Sequence, residues 1–244
     1  MMETIKCNKT HLSIDIAEKR EIIHRDYLAH CMRWSNVLKH SDRGETVLDL
    51  GCADGPLGMM LYTNKFSPTK YIGVDIRESQ LELAREKLKK VDWAEFLCLN
   101  LCTEFAKIPK LSYDKICSFE FVEHIPGDYV EPFIQNVKSL MNPETRFFLS
   151  TPCYDGKNQA ANHVKEWYFK ELKEVLERHL VIEAVYGTFI NQRDLKTCWQ
   201  PDEIDLFEKL HEYYDSNVLA IIFAPLHPEH ARNCIWRLKL PNAV

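Results

Sequence analysis

VLDLGCADGPLG, residues 47–58, passes from an apolar strand run into a glycine turn and then into a helical pattern carried by Leu57, Met60 and Leu61. Glycine accepts positive φ and lets the backbone approach a ligand closely, and the helix that follows presents amide N–H groups at its positive end. The turn therefore suits a nucleotide-like ligand. The G-x-G-x-x-G spacing of a dinucleotide fold is absent, and the pattern is D-x-G-x-x-x-G through Asp49, Gly51 and Gly55.

Downstream, the next strand run, YIGVDI, ends on Asp75 and Ile76, about one βα unit later. A carboxylate at that place can accept hydrogen bonds from both hydroxyls of a ribose. The alternation then continues: SQLELAREKLKKV is helical, EFLCLNL and DKICSFEF are strand-like, DYVEPFIQNVKSLM is helical and RFFLS is a strand. Such alternation predicts an α/β fold with a mostly parallel sheet covered by helices on both faces. Upstream, residues 13–40 place Ile16, Ile23, Tyr27, Leu28, Cys31, Trp34 and Leu38 at helical spacing.

Beyond Pro152 a polar loop leads to the helical run EWYFKELKEVLERHL and the strand VIEAVYGTF. Pro201 suits the first position of a helix, Val218 to Ala224 fits either strand or helix, and CIWRLKL reads as the last strand. The chain is read as one domain over residues 1–244. It comprises a helical segment (13–40), a ligand-binding core (45–190), a helical insertion (191–233) and the last strand (234–240).

With 244 residues, 45% hydrophobic and 27% charged, the composition is that of a folded globular protein. A net charge of −5 argues against broad binding to duplex nucleic acid, although a single terminal nucleotide is not excluded. Nine cysteines form no C-x-x-C pair, as expected of buried thiols in a reducing compartment. No secretory signal and no membrane span are read from the chain, so a cytoplasmic location is expected.

SFEFVEHIPG, residues 118–127, sets Glu120, Glu123 and His124 among apolar neighbours at the end of the fourth strand. Ionised carboxylates in such surroundings are costly unless paired or bound to a cation. If the chain turns helically after Glu120, the three side chains lie on one side. This stretch alone leaves open both a divalent metal and a metal-free arrangement of caps and local pairs. His163, on the loop after the fifth strand and followed by Glu166 and Trp167, adds a candidate from the same sheet edge.

Asp49, Gly51, Gly55 and Asp75, with Asn100-Leu101 after the third strand, resemble the class I S-adenosylmethionine-dependent methyltransferases. That resemblance implies a Rossmann-like seven-stranded sheet and S-adenosyl-L-methionine as cofactor. Asp49, Gly51 and Gly55 are then expected at its amino-acid end, Asp75 and Ile76 at its ribose, and Asn100 and Leu101 at its adenine. The set Glu120, Glu123, His124, Ser150-Thr151-Pro152 and His163-x-x-Glu166-Trp167 resembles the small-RNA 3′-terminal 2′-O-methyltransferases. E-x-x-E-H is equally similar to the ubiquinone-biosynthesis O-methyltransferases.

Both families imply methylation of one of two adjacent hydroxyls, on a nucleic-acid terminus or a small molecule. Carried over, the metal ligands are Glu120, Glu123, His124 and His163, with Mn²⁺, Fe²⁺, Co²⁺ or Mg²⁺ as the ion, and His163 and Glu123 as the catalytic pair. Two other readings stand beside this one: a metal-free enzyme with His163 as general base, and a cofactor-binding subunit without activity. Nucleobase amines are disfavoured, because the fourth strand ends in F-E-F-V where a D/N-P-P-Y/F/W signature belongs. His11, His24, His30, His227 and His230 have no partner pattern. Arg33 is weighed as a cofactor contact on a helix covering the site, against a helix simply packed on the sheet.

Overall fold

The computed structural model describes residues 25–157, 159–190 and 198–242. The first part of the predicted helical segment, with His11 and His24, and the start of the insertion lie outside these residues. In chain order the elements are α1 (Arg25–Lys39), β1 (Thr46–Leu50), α2 (Pro56–Thr63), β2 (Lys70–Asp75), α3 (Glu78–Lys87), β3 (Ala94–Cys98), β4 (Lys115–Phe119), α4 (Gly127–Leu140), β5 (Arg146–Pro152), α5 (Phe169–Glu177), β6 (Val181–Ile190), α6 (Pro201–His211), α7 (Ser216–Phe223) and β7 (Ala231–Lys239).

The strands form one sheet in the order β3-β2-β1-β4-β5-β7-β6. β1 to β5 are parallel, and β7 runs antiparallel between β5 and β6. This is the mostly parallel sheet that the alternation predicts, with the seven strands of the Rossmann-like fold that the resemblance implies. Successive strand residues point to opposite faces, so each strand feeds two cores. Leu48, Leu50, Ile116, Phe147 and Leu149 meet Phe133 and Ile134 of α4 and Leu172 and Leu176 of α5 on one face. On the other, Val47, Tyr71, Cys117 and Phe148 meet Val37 of α1, Leu57 and Leu61 of α2, and Leu81 and Ala84 of α3. The order reverses between β1 and β4, the switch point at which folds of this kind form a ligand crevice beyond the C-terminal strand ends.

Val218 to Ala224 resolves as helix: Asp215 caps α7 by accepting from the Asn217 N–H at 2.7 Å. α6 begins at Pro201, as its sequence predicts, with Gln200 and Glu203 forming a capping box. The last strand starts at Ala231, earlier than the CIWRLKL run suggests, because Ala231 already pairs with Ile190 and Asn233 with Pro152. Asn233 therefore belongs to the sheet rather than to the insertion, and this places it at the crevice. Among the described residues no helix is long and apolar enough to cross a membrane.

The turn after α7 is pressed onto β6 at Gly187, where an added Cβ would lie 2.4 Å from the Ala224 carbonyl oxygen and 2.7 Å from the Ala231 Cβ. Backbone cannot give way as a flexible side chain can. Gly187→Ala is accordingly expected to destabilise the fold by about 3 kcal/mol. Chemical denaturation of the variant measures this, and an unchanged midpoint would refute the close approach.

Candidate active site

The glycine turn begins where β1 ends. Gly51 and Gly55 adopt φ of +80° and +75°, and Gly51 also needs its missing Cβ, since Phe121 would sit 3.0 Å from it. The N–H groups of Gly51 and Cys52 both donate to the Val74 carbonyl, at 2.8 and 2.9 Å, which ties the turn to β2. Ala53 is left-handed as well, with φ of +48°, and its N–H donates to Asp75 Oδ2 at 3.0 Å. Asp75 Oδ1 accepts from the N–H and Nε of Arg77, at 2.9 and 3.2 Å. One carboxylate thus braces the turn from the neighbouring strand.

Asp49 lies beneath the turn, 3% exposed, and accepts from the Tyr71 hydroxyl at 2.6 Å. Burial pushes its carboxyl up to about 7, against the lowering effect of the Tyr71 hydrogen bond and with a further push from Asp75. Asn100 shapes the turn after β3: its Oδ1 accepts from the Cys102 N–H and its own N–H donates to Glu104, both at 2.9 Å. Leu101 is buried in the core, whereas Ile76 is exposed.

Glu120 follows the last residue of β4 and adopts a left-handed φ of +52°, a conformation that strains any residue with a Cβ. The helical continuation expected after it is therefore broken, and a short 3₁₀ turn, Val122–His124, takes its place. The break sends the Glu120 carboxylate toward α1 and β7. Ser150 Oγ donates to it at 2.7 Å, Asn233 Nδ2 to its two oxygens at 2.9 and 2.8 Å, and Arg33 Nη2 lies 3.2 Å away. Burial works to raise the Glu120 pKa, but Arg33 and these hydrogen bonds overcome it and hold the carboxyl below its ordinary value.

Glu123 is fully buried, and its backbone carbonyl accepts from the N–H groups of Val164 and Lys165, at 2.7 and 3.2 Å. Those bonds bring the distant loop bearing His163 against the 3₁₀ turn. Thr151 Oγ1 donates to Glu123 Oε2 at 3.0 Å, while the buried Oε1 has no hydrogen-bond partner among the described residues. Burial, then the charge of Glu120, pushes the Glu123 carboxyl well above its ordinary value.

The rings of His124 and His163 meet edge to face, 4.9 Å apart. His124 Nδ1 lies 3.0 Å from the Asn162 carbonyl, and His163 Nδ1 lies 2.8 Å from Glu166 Oε1. Both partners are acceptors, so each ring holds its proton on Nδ1 and keeps a lone pair on Nε2. Burial lowers the His124 pKa, which favours the neutral ring. Glu166 is in turn fixed by the Ala160 N–H at 3.0 Å and Arg232 Nη2 at 3.3 Å.

Glu123, His124 and His163 each present one ligand atom, all within 4.8 Å of one another. These three expected ligands converge, whereas Glu120 is engaged by Arg33, Ser150 and Asn233. The partners that sequence reasoning missed are Asn233, Arg232 and the Arg33–Glu120 pair; only Arg33 carried a signal, as a cation on the helix preceding the core. A buried carboxylate oxygen without a donor, beside two imidazole lone pairs, is a donor set that suits a divalent cation such as Mn²⁺ or Fe²⁺.

A family model described as a methyltransferase domain matches residues 20–201. A ubiquinone biosynthesis O-methyltransferase of Neisseria meningitidis serogroup C is 29% identical over 123 residues, covering 49% of this chain and 50% of that protein. Sphingolipid C9-methyltransferase A of Emericella nidulans is 24% identical over 151 residues, 61% of this chain and 25% of its own length. The chain thus spans half or less of these curated relatives. Among solved structures, the N-methyltransferase NodS of Bradyrhizobium japonicum with S-adenosyl-L-homocysteine superposes with a TM-score of 0.60 at 12% identity, covering 88% of each chain. The small RNA methyltransferase HEN1 gives 0.61 at 20% identity, covering 88% of this chain and 25% of that one. At these identities the likeness is one of fold.

Proposed function

The chain belongs to the methyltransferase-domain family of S-adenosylmethionine-dependent enzymes, and on that premise we propose that it methylates oxygen on one of two adjacent hydroxyls, assisted by a divalent cation. The observation that carries this reading is the convergence of Glu123, His124 and His163 within 4.8 Å, with Glu123 Oε1 buried and unpartnered. A cation held there supplies positive charge that lowers the pKa of a neighbouring hydroxyl. The chain's own part is positional. Thr151 fixes one oxygen of Glu123, Asn162 and Glu166 hold the two imidazoles in the Nδ1–H tautomer, and both Nε2 lone pairs are left for the ion or for the acceptor proton.

On the cofactor side, the turn of Gly51, Ala53 and Gly55 offers backbone to the amino-acid end, Asp49 a carboxylate beneath it, and Asp75 with exposed Ile76 the ribose end. Asn100 and Leu101 form the turn at the adenine end. The acceptor class is a terminal ribose or a catechol-like diol. Either presents the paired oxygens that the site suits, and an O-methyltransferase stands among the curated relatives.

The test is methyl transfer by purified enzyme to oligoribonucleotides with an intact or a blocked terminal diol, and to catechols against monophenols, before and after chelation. Transfer that requires both the diol and re-added Mn²⁺ is expected. An unchanged rate in chelator overturns the metal and leaves the metal-free reading, with His163 as base, which the His163–Glu166 pair favours.

Cofactor affinity is also expected to depend on pH. Asp49, at about 7 in the free protein, is protonated below that value. A cationic amino group binds the carboxylate better than the acid, so binding must displace the proton at low pH. Affinity for S-adenosyl-L-homocysteine should rise up to about tenfold per unit below pH 7 and level off above it. Calorimetric titrations between pH 6 and 8 measure the slope, and Asp49→Asn should abolish it.

A further inference from the structure

Two acidic side chains enter the acceptor side, yet their surroundings differ. Glu123 is buried with an unpartnered oxygen and faces the two histidines. Glu120, turned away by its left-handed backbone, faces Arg33, which is 4% exposed. Arg33 is fully engaged: Nη2 on Glu120, Nε on Asn233 Oδ1 at 3.4 Å and Nη1 on His30 Nδ1 at 2.7 Å. Asn233 closes the ring by donating to both Glu120 oxygens. Arg33 belongs to α1, Asn233 to β7 and Glu120 to the end of β4, so three elements distant in sequence meet at one carboxylate.

We propose that the Arg33–Glu120–Asn233 ring is a strap that fastens α1 to the acceptor side of the crevice, and that Glu120 serves as its anchor rather than as a metal ligand. The remainder of α1 shows why fastening matters. Val37 is buried in the same cluster as Leu57 and Leu61 of α2, with Trp34 and Leu38 packed against it. α2 is the helix that follows the glycine turn. Tension on α1 is therefore passed to the turn that approaches the cofactor. A planar guanidinium can bridge Glu120 and Asn233 together, which the single point of a lysine ammonium does less well. Breaking the ring leaves a partly buried charge without its counterion, so the helix is expected to lift.

The inference takes the location of the acceptor site from the proposed function and nothing more. The experiment compares the full-length wild type with Arg33→Ala, Arg33→Lys, Glu120→Gln and the Arg33→Ala/Glu120→Gln double variant. Three quantities are read: amide hydrogen exchange in α1 and α4, the Kd for S-adenosyl-L-homocysteine, and the Kd for Mn²⁺ by paramagnetic resonance. Arg33→Ala and Glu120→Gln should each speed exchange in α1 by about tenfold or more while α4 is unchanged. The double variant should add little to either, since one interaction is lost in all three. Cofactor affinity should weaken in parallel, Arg33→Lys should recover part of both effects, and Mn²⁺ affinity should move by less than about twofold.

The strap is overturned if α1 exchanges as in the wild type when either partner is removed, or if Glu120→Gln loses Mn²⁺ affinity with α1 still protected. An α4 that loosens with α1 would also overturn it, by showing general destabilisation. Failure of the metal reading looks different: no variant, nor the wild type, binds Mn²⁺, and the exchange data still decide the strap.

Discussion

His163→Ala is expected to lower kcat by about 10³-fold, whether the imidazole is an ion ligand or the base that takes the acceptor proton. The size follows from the geometry. His163 is a ring whose Nδ1 is held by a buried carboxylate and which offers a ligand atom within 4.8 Å of those of Glu123 and His124. Removing it leaves two of three convergent groups. Affinity for S-adenosyl-L-homocysteine should be unchanged, which separates the loss from unfolding. Glu166→Gln should give an intermediate loss in kcat, since an amide can still accept from Nδ1 but no longer stabilises the imidazolium. A His163→Ala enzyme within tenfold of wild type would remove His163 from the chemistry.

Asp75→Ala is expected to weaken S-adenosyl-L-homocysteine binding by about 100-fold, close to the 3 kcal/mol upper range of hydrogen bonds to a charged group. Asp75 has two duties in the structure. It ends β2 at the crevice, where ribose hydroxyls are expected, and its Oδ2 holds the N–H of left-handed Ala53. Alanine removes both the acceptor for the sugar and the brace of the turn, and it releases Arg77. Asp75→Asn keeps one carbonyl oxygen for Ala53 and should lose less. Calorimetric titration of both variants provides the measurement, and a change below threefold for Asp75→Ala would count against the ribose assignment.

The fold was legible because its signals are local and repeated. Strand runs and helical periods alternate at spacings that a parallel sheet requires, and D-x-G-x-x-x-G names a turn that only glycines at Gly51 and Gly55 admit. Even so, Ala53 shares the left-handed conformation without a glycine's signature, and its bond to Asp75 shows only in the folded chain. Three of the four expected metal ligands meet, because E-x-x-E-H and H-x-x-E place them on two segments that leave the same sheet edge. Glu120 stands apart from the other three for a backbone reason: a helical turn after it would put all of them on one side, and the chain takes a positive φ there instead.

The sequence alone therefore determined the alternation of strands and helices in the core and the place of the glycine turn, both of which depend on backbone rules acting over a few positions. Only the tertiary structure decided which of those charges pair. Arg33 reaches Asn233 across 200 positions and Asn233 reaches Glu120 across 113, through a strand that enters the sheet antiparallel between two others. No local pattern encodes such a meeting. The partner of a buried charge is settled by desolvation and by which elements the core brings together, and that is how one glutamate is held by an arginine while its neighbour faces two histidines.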